Sequence, residues 1–97
     1  MPEYTLSLAL RSSAPLDDDA VDAVRAVLRP DDAGLRLWRE PDRAVLRATT
    51  ECTAEDLRAA LELGRDLADE AVAVCPGRVF EVAAMDDEDS LVWRAGP

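Results

Sequence analysis

The chain contains no histidine, lysine, asparagine or glutamine, and all eleven of its basic residues are arginine. Histidine is the commonest general base and zinc ligand, and lysine supplies Schiff-base amines and the cation of P-loops. Chemistry is left to carboxylates, arginine, two cysteines, one tyrosine and a few hydroxyl groups. A GC-rich genome favours the same composition, but the chemical restriction holds whatever its origin. We therefore expect no catalytic residue set, no cofactor and no metal site.

Basic charge is scarce relative to acidic charge, so the formal net charge at pH 7 is −10. Nucleic-acid affinity depends largely on neutralising phosphates, and anionic membranes attract basic surfaces. We therefore expect neither nucleic acid nor a membrane as a partner. Two interpretations of the charge remain open: it steers a basic protein partner towards this chain, or it only maintains solubility.

The length of 97 residues predicts a single domain over 1–97. Residues 1–4 lack the basic start of a signal peptide, and no apolar run approaches the length of a membrane span, which predicts a cytoplasmic protein. Cys52 and Cys75 bracket a predicted helix of about 20 residues, whose ends lie roughly 30 Å apart. A disulfide between them is therefore excluded, because the two Cα atoms must approach within about 7 Å.

The hydrophobic pattern predicts four strands, two helices and a tail. Alternation of apolar and polar residues indicates strands at 3–11, 35–40, 44–50 and 78–85, and apolar spacings of three and four indicate helices at 17–29 and about 53–74. Residues 86–97 form an acidic loop and a short apolar tail, Leu91 to Trp93, expected to be an edge strand or a docking segment.

The order β-α-β-β-α-β is typical of the ferredoxin-like α+β sandwich, a four-stranded antiparallel sheet with both helices on one face. Right-handed crossovers place the first and third strands in the centre of such a sheet. The pattern indicates a fold and not a family, because this architecture carries many unrelated functions.

Three local features refine the helices. Asp17, Asp18 and Asp19 stand where a helix needs a cap and favours negative charge. Residues 53–56 have the form of a capping box starting at Thr53. Gly64, inside the second helix, costs roughly 1 kcal/mol relative to alanine and suggests a close approach to a neighbouring element.

The face of the sheet away from the helices is the predicted functional surface. The expected hairpin register, with a turn at 40–43, places Trp38 opposite Val45 and Arg36 opposite Arg47, an unfavourable pair of like charges. The tail is the only part of the chain left to cover this face, which is more apolar than a simple solvated sheet. Its predicted members are Thr5, Ser7, Ala9, Arg36, Trp38, Val45, Arg47, Thr49, Val79, Glu81, Ala83 and Met85.

Three interpretations of this face compete: homodimerisation, binding of a different protein, and one wall of a pocket where Arg36 and Arg47 hold a carboxylate or phosphate. Trp38 as an exposed anchor favours the protein–protein interpretations, because tryptophan and arginine are enriched at interaction hot spots. We therefore predict a homodimeric binding or accessory module in preference to an enzyme, with a different protein as a further candidate partner. The predicted contact residues are Arg36, Trp38, Val45, Arg47, Met85 and Trp93.

Two alternative functions stay open. A cofactor-free, dimeric ferredoxin-like enzyme or small-ligand-binding protein requires a sizeable apolar pocket between sheet and helices. An acidic inhibitor or immunity-type protein would mask a basic partner, and its binding would weaken steeply with salt. Two weaker candidates are Cys52, as a thiol activated near a helix N-terminus, and the loop 86–89, as a cation site.

Overall fold

The computed structural model describes residues 2–13, 16–28, 35–40 and 44–95. Within these ranges the chain forms five strands and two helices. In chain order they are β1 (Glu3–Ser12), α1 (Asp18–Val27), β2 (Arg36–Glu40), β3 (Val45–Thr53), α2 (Leu57–Val74), β4 (Gly77–Met85) and β5 (Ser90–Arg94).

All five strands belong to one open antiparallel sheet with the order β2-β3-β1-β4-β5. The α+β class with two helices is confirmed. The expected ferredoxin-like sheet of four strands is not matched in strand count or order, because the apolar tail pairs with the outer edge of β4. This pairing runs from Met85 opposite Ser90 to Glu81 opposite Arg94.

The core lies between the sheet and the two helices. Alternate residues of β1, β3 and β4 point towards the helices and are buried, among them Leu8, Leu46 and Val82. Val24 of α1 packs in the same cluster, so one aliphatic core joins both helices to the sheet. Gly64 of α2 faces this layer, where an added Cβ would lie 2.9 Å from Cγ1 of Val82.

Both helices begin at an aspartate that caps them. The side chain of Asp17 accepts a hydrogen bond from the backbone N–H of Ala20 at 2.8 Å, as the sequence predicted for this end. In α2 the cap is Asp56, which accepts from the N–H of Ala59 at 2.8 Å. The predicted capping box at Thr53 is wrong, because that residue still pairs with β1 and cannot turn into the helix.

The β2–β3 hairpin has a register two residues away from the predicted one. The observed pairs are Arg36–Thr49, Leu37–Ala48, Trp38–Arg47, Arg39–Leu46 and Glu40–Val45. The predicted pairing of Arg36 with Arg47 is therefore wrong, as is that of Trp38 with Val45. A shift of two residues keeps every side chain on its predicted face. It also separates two like charges that would have been directly opposite.

The end of the hairpin loop fits this longer connection. Positions 41–43 of the predicted turn lie outside the described residues, and Ala44 follows them with a φ of 53°. This left-handed conformation is uncommon for alanine. The carbonyl of Ala44 accepts a hydrogen bond from the N–H of Ser12 at 2.7 Å, which ties the loop to β1.

A β-bulge in β4 changes which side chains face outwards. Ala9 pairs with Glu81, but the next residue of β1, Leu10, pairs with Val79, so Phe80 is the extra residue. Val79 packs against the core instead of lying on the open face, and Phe80 lies outside instead of under the helices. The predicted place of Val79 on the open face is therefore wrong, and the extra residue in β4 is the reason.

Candidate functional site

The surface of the sheet opposite the helices, called the open face below, is built from rows of residues that cross the strands. The middle row, read through the strand pairings, is Arg36, Thr49, Ser7, Ala83 and Val92. The next row is Trp38, Arg47, Ala9, Glu81 and Arg94. The rows show that β5 contributes Val92 and Arg94 to the open face, whereas the sequence left the role of the tail undecided.

The structure brings five of the six predicted contact residues to the open face. Arg36 and Trp38 lie on β2, Val45 and Arg47 on β3, and Met85 at the end of β4. Val45 is almost fully buried, so it supports its neighbours and offers little surface to a partner.

Trp93 lies on the other side of the sheet. It pairs with Val82, packs against the core, and its ring lies 4.8 Å below the guanidinium of Arg65 on α2. The structure therefore does not bring Trp93 together with Trp38, and it places Val92 on the open face in its stead.

Apolar side chains are exposed on the open face at both edges of the sheet. Trp38 on β2 is 43% exposed and Val92 on β5 is 45% exposed. Met85 and Phe80 are partly exposed between these edges. Val92 and Phe80 were not among the residues predicted for this face, because strand pairing of the tail and the bulge in β4 are set by contacts far along the chain.

Arg47 is held by its neighbours on this face. Its Nε donates a hydrogen bond to Oε1 of Glu40 at 3.3 Å, and both side chains are about a third exposed or less. The guanidiniums of Arg47 and Arg11 lie 6.0 and 5.5 Å from the centre of the Phe80 ring. Arg47 thus makes an ion pair and a cation–π contact. The predicted neighbour, Arg36, does not lie opposite it.

Charge is unevenly distributed along the open face. At one end Arg11 pairs directly with Arg78, and both are exposed beside a cleft of about 420 Å³ that Ser12 and Ser13 also line. This cluster, Arg11 and Arg78, is called the basic end. Like charges directly opposite destabilise a strand pair, so this end favours a negatively charged neighbour.

The opposite end of the face carries carboxylates around a cleft of about 470 Å³. Glu3, Glu51, Asp86 and Asp87 line it, together with Thr5 and Met85 from the strands. These four carboxylates are called the acidic end. Glu3 and Arg11 are eight positions apart on β1, which is roughly 27 Å at the rise of an antiparallel strand.

The helix layer is strongly acidic by comparison. Residues 16–28 and 55–74 carry ten carboxylates against three arginines, a formal charge of −7, and all ten acidic residues are exposed. The strands contribute five arginines and four glutamates to the open face. The two broad surfaces of the molecule therefore differ in charge.

Tyr4 lies beside the acidic end and is buried. Desolvation, and then the negative charges of Asp86 and Asp56, raise the pKa of its hydroxyl above the ordinary 10.0. Burial also raises the pKa of the Cys52 thiol, which is the opposite of the shift that a nucleophilic thiol needs. Cys52 and Cys75 are both free thiols.

The layer between sheet and helices is filled. A cavity of about 10 Å³ remains there among the described residues, lined by Leu8, Leu46, Ala71 and their neighbours. This space holds about one water molecule and no substrate. Around the acidic loop, the side chain of Asp86 accepts from the N–H groups of Glu88 and Asp89 at 2.8 and 2.7 Å.

Within the described ranges, no cluster of three or more metal-ligating side chains is present, and no helix has the length and hydropathy needed to cross a membrane. The chain matches no protein-family model, no curated protein and no solved structure.

Proposed function

We propose that this chain is a small protein–protein binding module that acts through its open face and self-associates there as a homodimer. The observation that carries the proposal is the apolar surface of Trp38 and Val92, with the partly exposed Phe80 and Met85 between them, on the face of the sheet that neither helix covers. Apolar side chains exposed together on one face are typical of interaction sites, whereas scattered ones need no explanation.

The charge distribution favours the open face over the helix layer as the place where two copies meet. Two helix layers, each with a formal charge of −7, would repel each other at contact distance. Two open faces would not, because each carries almost equal numbers of arginines and glutamates on its strands. Trp38 and Arg36 also belong to the residue types enriched at hot spots.

The architecture included in this proposal is a ferredoxin-like unit, made of the first four strands and both helices, that β5 extends at one edge. We also propose a cytoplasmic location, which two free thiols support, since disulfides dominate in oxidising compartments. The cofactor-free enzyme draws no support from the cavity of about 10 Å³ beneath the sheet.

The test is the molar mass in solution, measured by light scattering coupled to size exclusion over a concentration series. We expect a dimer for the unmodified chain and a shift to monomer for Trp38→Ala and for Val92→Arg. Leu63→Arg is the matched control, because Leu63 has the same 43% exposure as Trp38 but lies on α2. A monomer at all concentrations, or equal effects of all three variants, would contradict self-association through the open face.

A second candidate function, an acidic inhibitor of a basic protein, draws on the exposed carboxylates of the helix layer. In that case the partner binds α1 and α2 rather than the sheet. Retention of a partner from lysate would then fall with added salt and disappear in an Asp66→Arg, Glu70→Arg variant, while Trp38→Ala would leave it unchanged. The opposite pattern would assign binding to the open face.

A further inference from the structure

We infer that the open face receives a second copy of this chain in one particular orientation, with the basic end of each copy against the acidic end of the other. This inference rests on the proposed function, and it adds the geometry of the complex and the charged groups that set it.

The geometry follows from how two flat faces can pack with two-fold symmetry. The two-fold axis lies between the faces, either along the strands or across them. An axis along the strands stacks like ends, so Arg11 and Arg78 would face the same pair in the other copy. An axis across the strands reverses β1 in the second copy, and each basic end then faces an acidic end.

Charge complementarity selects the second arrangement. Arg11 and Arg78 oppose each other across β1 and β4, and no ion pair or side-chain hydrogen bond of theirs is found among the described residues. The acidic end groups Glu3, Glu51 and the start of the 86–89 loop around a cleft, without an arginine in its lining. Each end therefore carries the charge that is opposite to that of the other end.

The two ends and the apolar surface can make contact at the same time. Sheets that pack face to face keep their strand directions within about 30° of each other, so the ends stay aligned with the ends. Val92 and Ser7 lie in the middle row, close to an axis that crosses the strands, so Val92 meets its equivalent. Trp38 lies one row towards the basic end and meets the neighbourhood of Arg36 in the other copy.

The area is sufficient for a specific dimer. Five strands at about 4.8 Å spacing, two of them shorter than the others, offer roughly 600 Å² per copy. Specific interfaces bury about 600–1,000 Å² per partner. An interface at the lower end of this range needs its charged groups in the right place, since area alone does not determine affinity.

The absence of lysine gives a direct test of the orientation. Arg78→Lys keeps the charge and introduces the only side-chain amine of the chain. A zero-length carbodiimide joins an amine to a carboxylate that it touches, and the joined peptides are identified by mass spectrometry in the dimer band. We expect the introduced amine to be joined to Glu3, Glu51, Asp86 or Asp87. These lie at the far end of the same copy, roughly 27 Å away, so the link must come from the other copy.

Arg25→Lys is the control, because Arg25 is exposed on α1 and its nearest carboxylate is Asp22 of the same helix, at 3.5 Å. We expect this variant to give no link in a dimer band. Dimers in which the Arg78→Lys amine is joined to Glu40 or Glu81 of the other copy would overturn the orientation and leave dimerisation standing. A monomeric chain with no dimer band would instead overturn the proposed function on which the orientation rests.

Affinity gives an independent second test. Arg11→Glu and Glu3→Arg, each alone, should weaken the dimer about tenfold, because the two residues lie on β1 at equal distances from Ser7 and each change replaces an attraction by a repulsion. The two changes in the same chain should restore the affinity to within about threefold, since reversed charges still meet across the two-fold axis. Failure of the double variant to recover, in a chain that dimerises normally without the changes, would overturn the orientation.

Discussion

Replacing Gly64 by alanine is the sharpest test of how closely α2 packs on the sheet. In an exposed helix interior this change stabilises by roughly 1 kcal/mol, because glycine loses more backbone entropy on folding. At Gly64 the added Cβ would lie 2.9 Å from Cγ1 of Val82 and 3.5 Å from Cδ2 of Leu6, both fully buried. The 3.5 Å to Leu6 is an ordinary van der Waals contact, so the strain falls on the β-branched Val82, and overpacking of this kind costs about 1–3 kcal/mol.

The expected net effect of Gly64→Ala is therefore a loss of up to about 2 kcal/mol instead of a gain. The free energy of unfolding is measured by urea titration and compared with that of two variants at the exposed position Glu62, Glu62→Gly and Glu62→Ala. Between those two, alanine should be the more stable by roughly 1 kcal/mol. At position 64 we expect the opposite order, with glycine more stable than alanine.

A double-mutant cycle identifies the contact responsible. Val82→Ala alone should cost about 2 kcal/mol through lost burial and the cavity left behind. Because it also removes the methyl group that the new Cβ meets, Gly64→Ala in that background should become neutral or stabilising. A gain of about 1 kcal/mol for Gly64→Ala in the unmodified chain would refute the close approach.

Three further outcomes follow from single contacts. Gly77→Ala should lower the free energy of unfolding, measured in urea, by about 3 kcal/mol or more, since the added Cβ would collide with a backbone carbonyl oxygen of β1. A loss below about 1 kcal/mol, close to that of an ordinary surface substitution, would contradict this. The absorbance titration of Tyr4 should have its midpoint above pH 10.0 and move down in Asp86→Asn. The folded state favours the neutral phenol, so its contribution to the free energy of unfolding is fully present below pH 10 and is lost as the pH rises through the folded-state pKa of Tyr4. A midpoint at or below pH 10.0 would contradict this prediction. Arg39→Ala removes the 2.7 Å ion pair with Asp18 and a 2.9 Å hydrogen bond from Nη1 to the backbone carbonyl of Leu16. The loss in the free energy of unfolding should stay below about 2 kcal/mol, and fall in salt, because the ion pair is well exposed; a larger loss would show that Arg39 holds α1 in place.

Local sequence signals were sufficient for the elements and for the inner layer. Alternation in β1 places Leu6, Leu8 and Leu10 on one face, and all three are buried against the helices. The run Asp17 to Asp19 predicts a cap at the start of the first helix without saying which aspartate provides it, and Asp17 caps α1. These features depend on neighbours within a few residues, which periodicity records directly.

The details of the open face could not be predicted in the same way. The register of the hairpin depends on a connection that includes the left-handed Ala44, and a shift of two residues leaves the hydrophobic alternation unchanged. The bulge at Phe80 falls in an apolar stretch, where swapping the faces of Val79 and Phe80 changes no pattern of hydrophobicity. Sequence alternation is insensitive to which residue lies opposite another, and in an apolar stretch with a bulge it does not determine the face either.

These two corrections act together on the proposed site. The hairpin register gives Arg47 a carboxylate partner in Glu40, and the bulge brings Phe80 under Arg47 and Arg11. Arg47 is therefore satisfied within its own chain, and the open-face arginines without an ion pair among the described residues are Arg36 and the two at the basic end. The predicted anion grip of Arg36 and Arg47 loses its geometry, because the two residues are not opposite each other. The proposed pairing of two copies rests instead on Arg11 and Arg78, which make no ion pair among the described residues, and on the carboxylates of the acidic end, which lie at the opposite end of the same face.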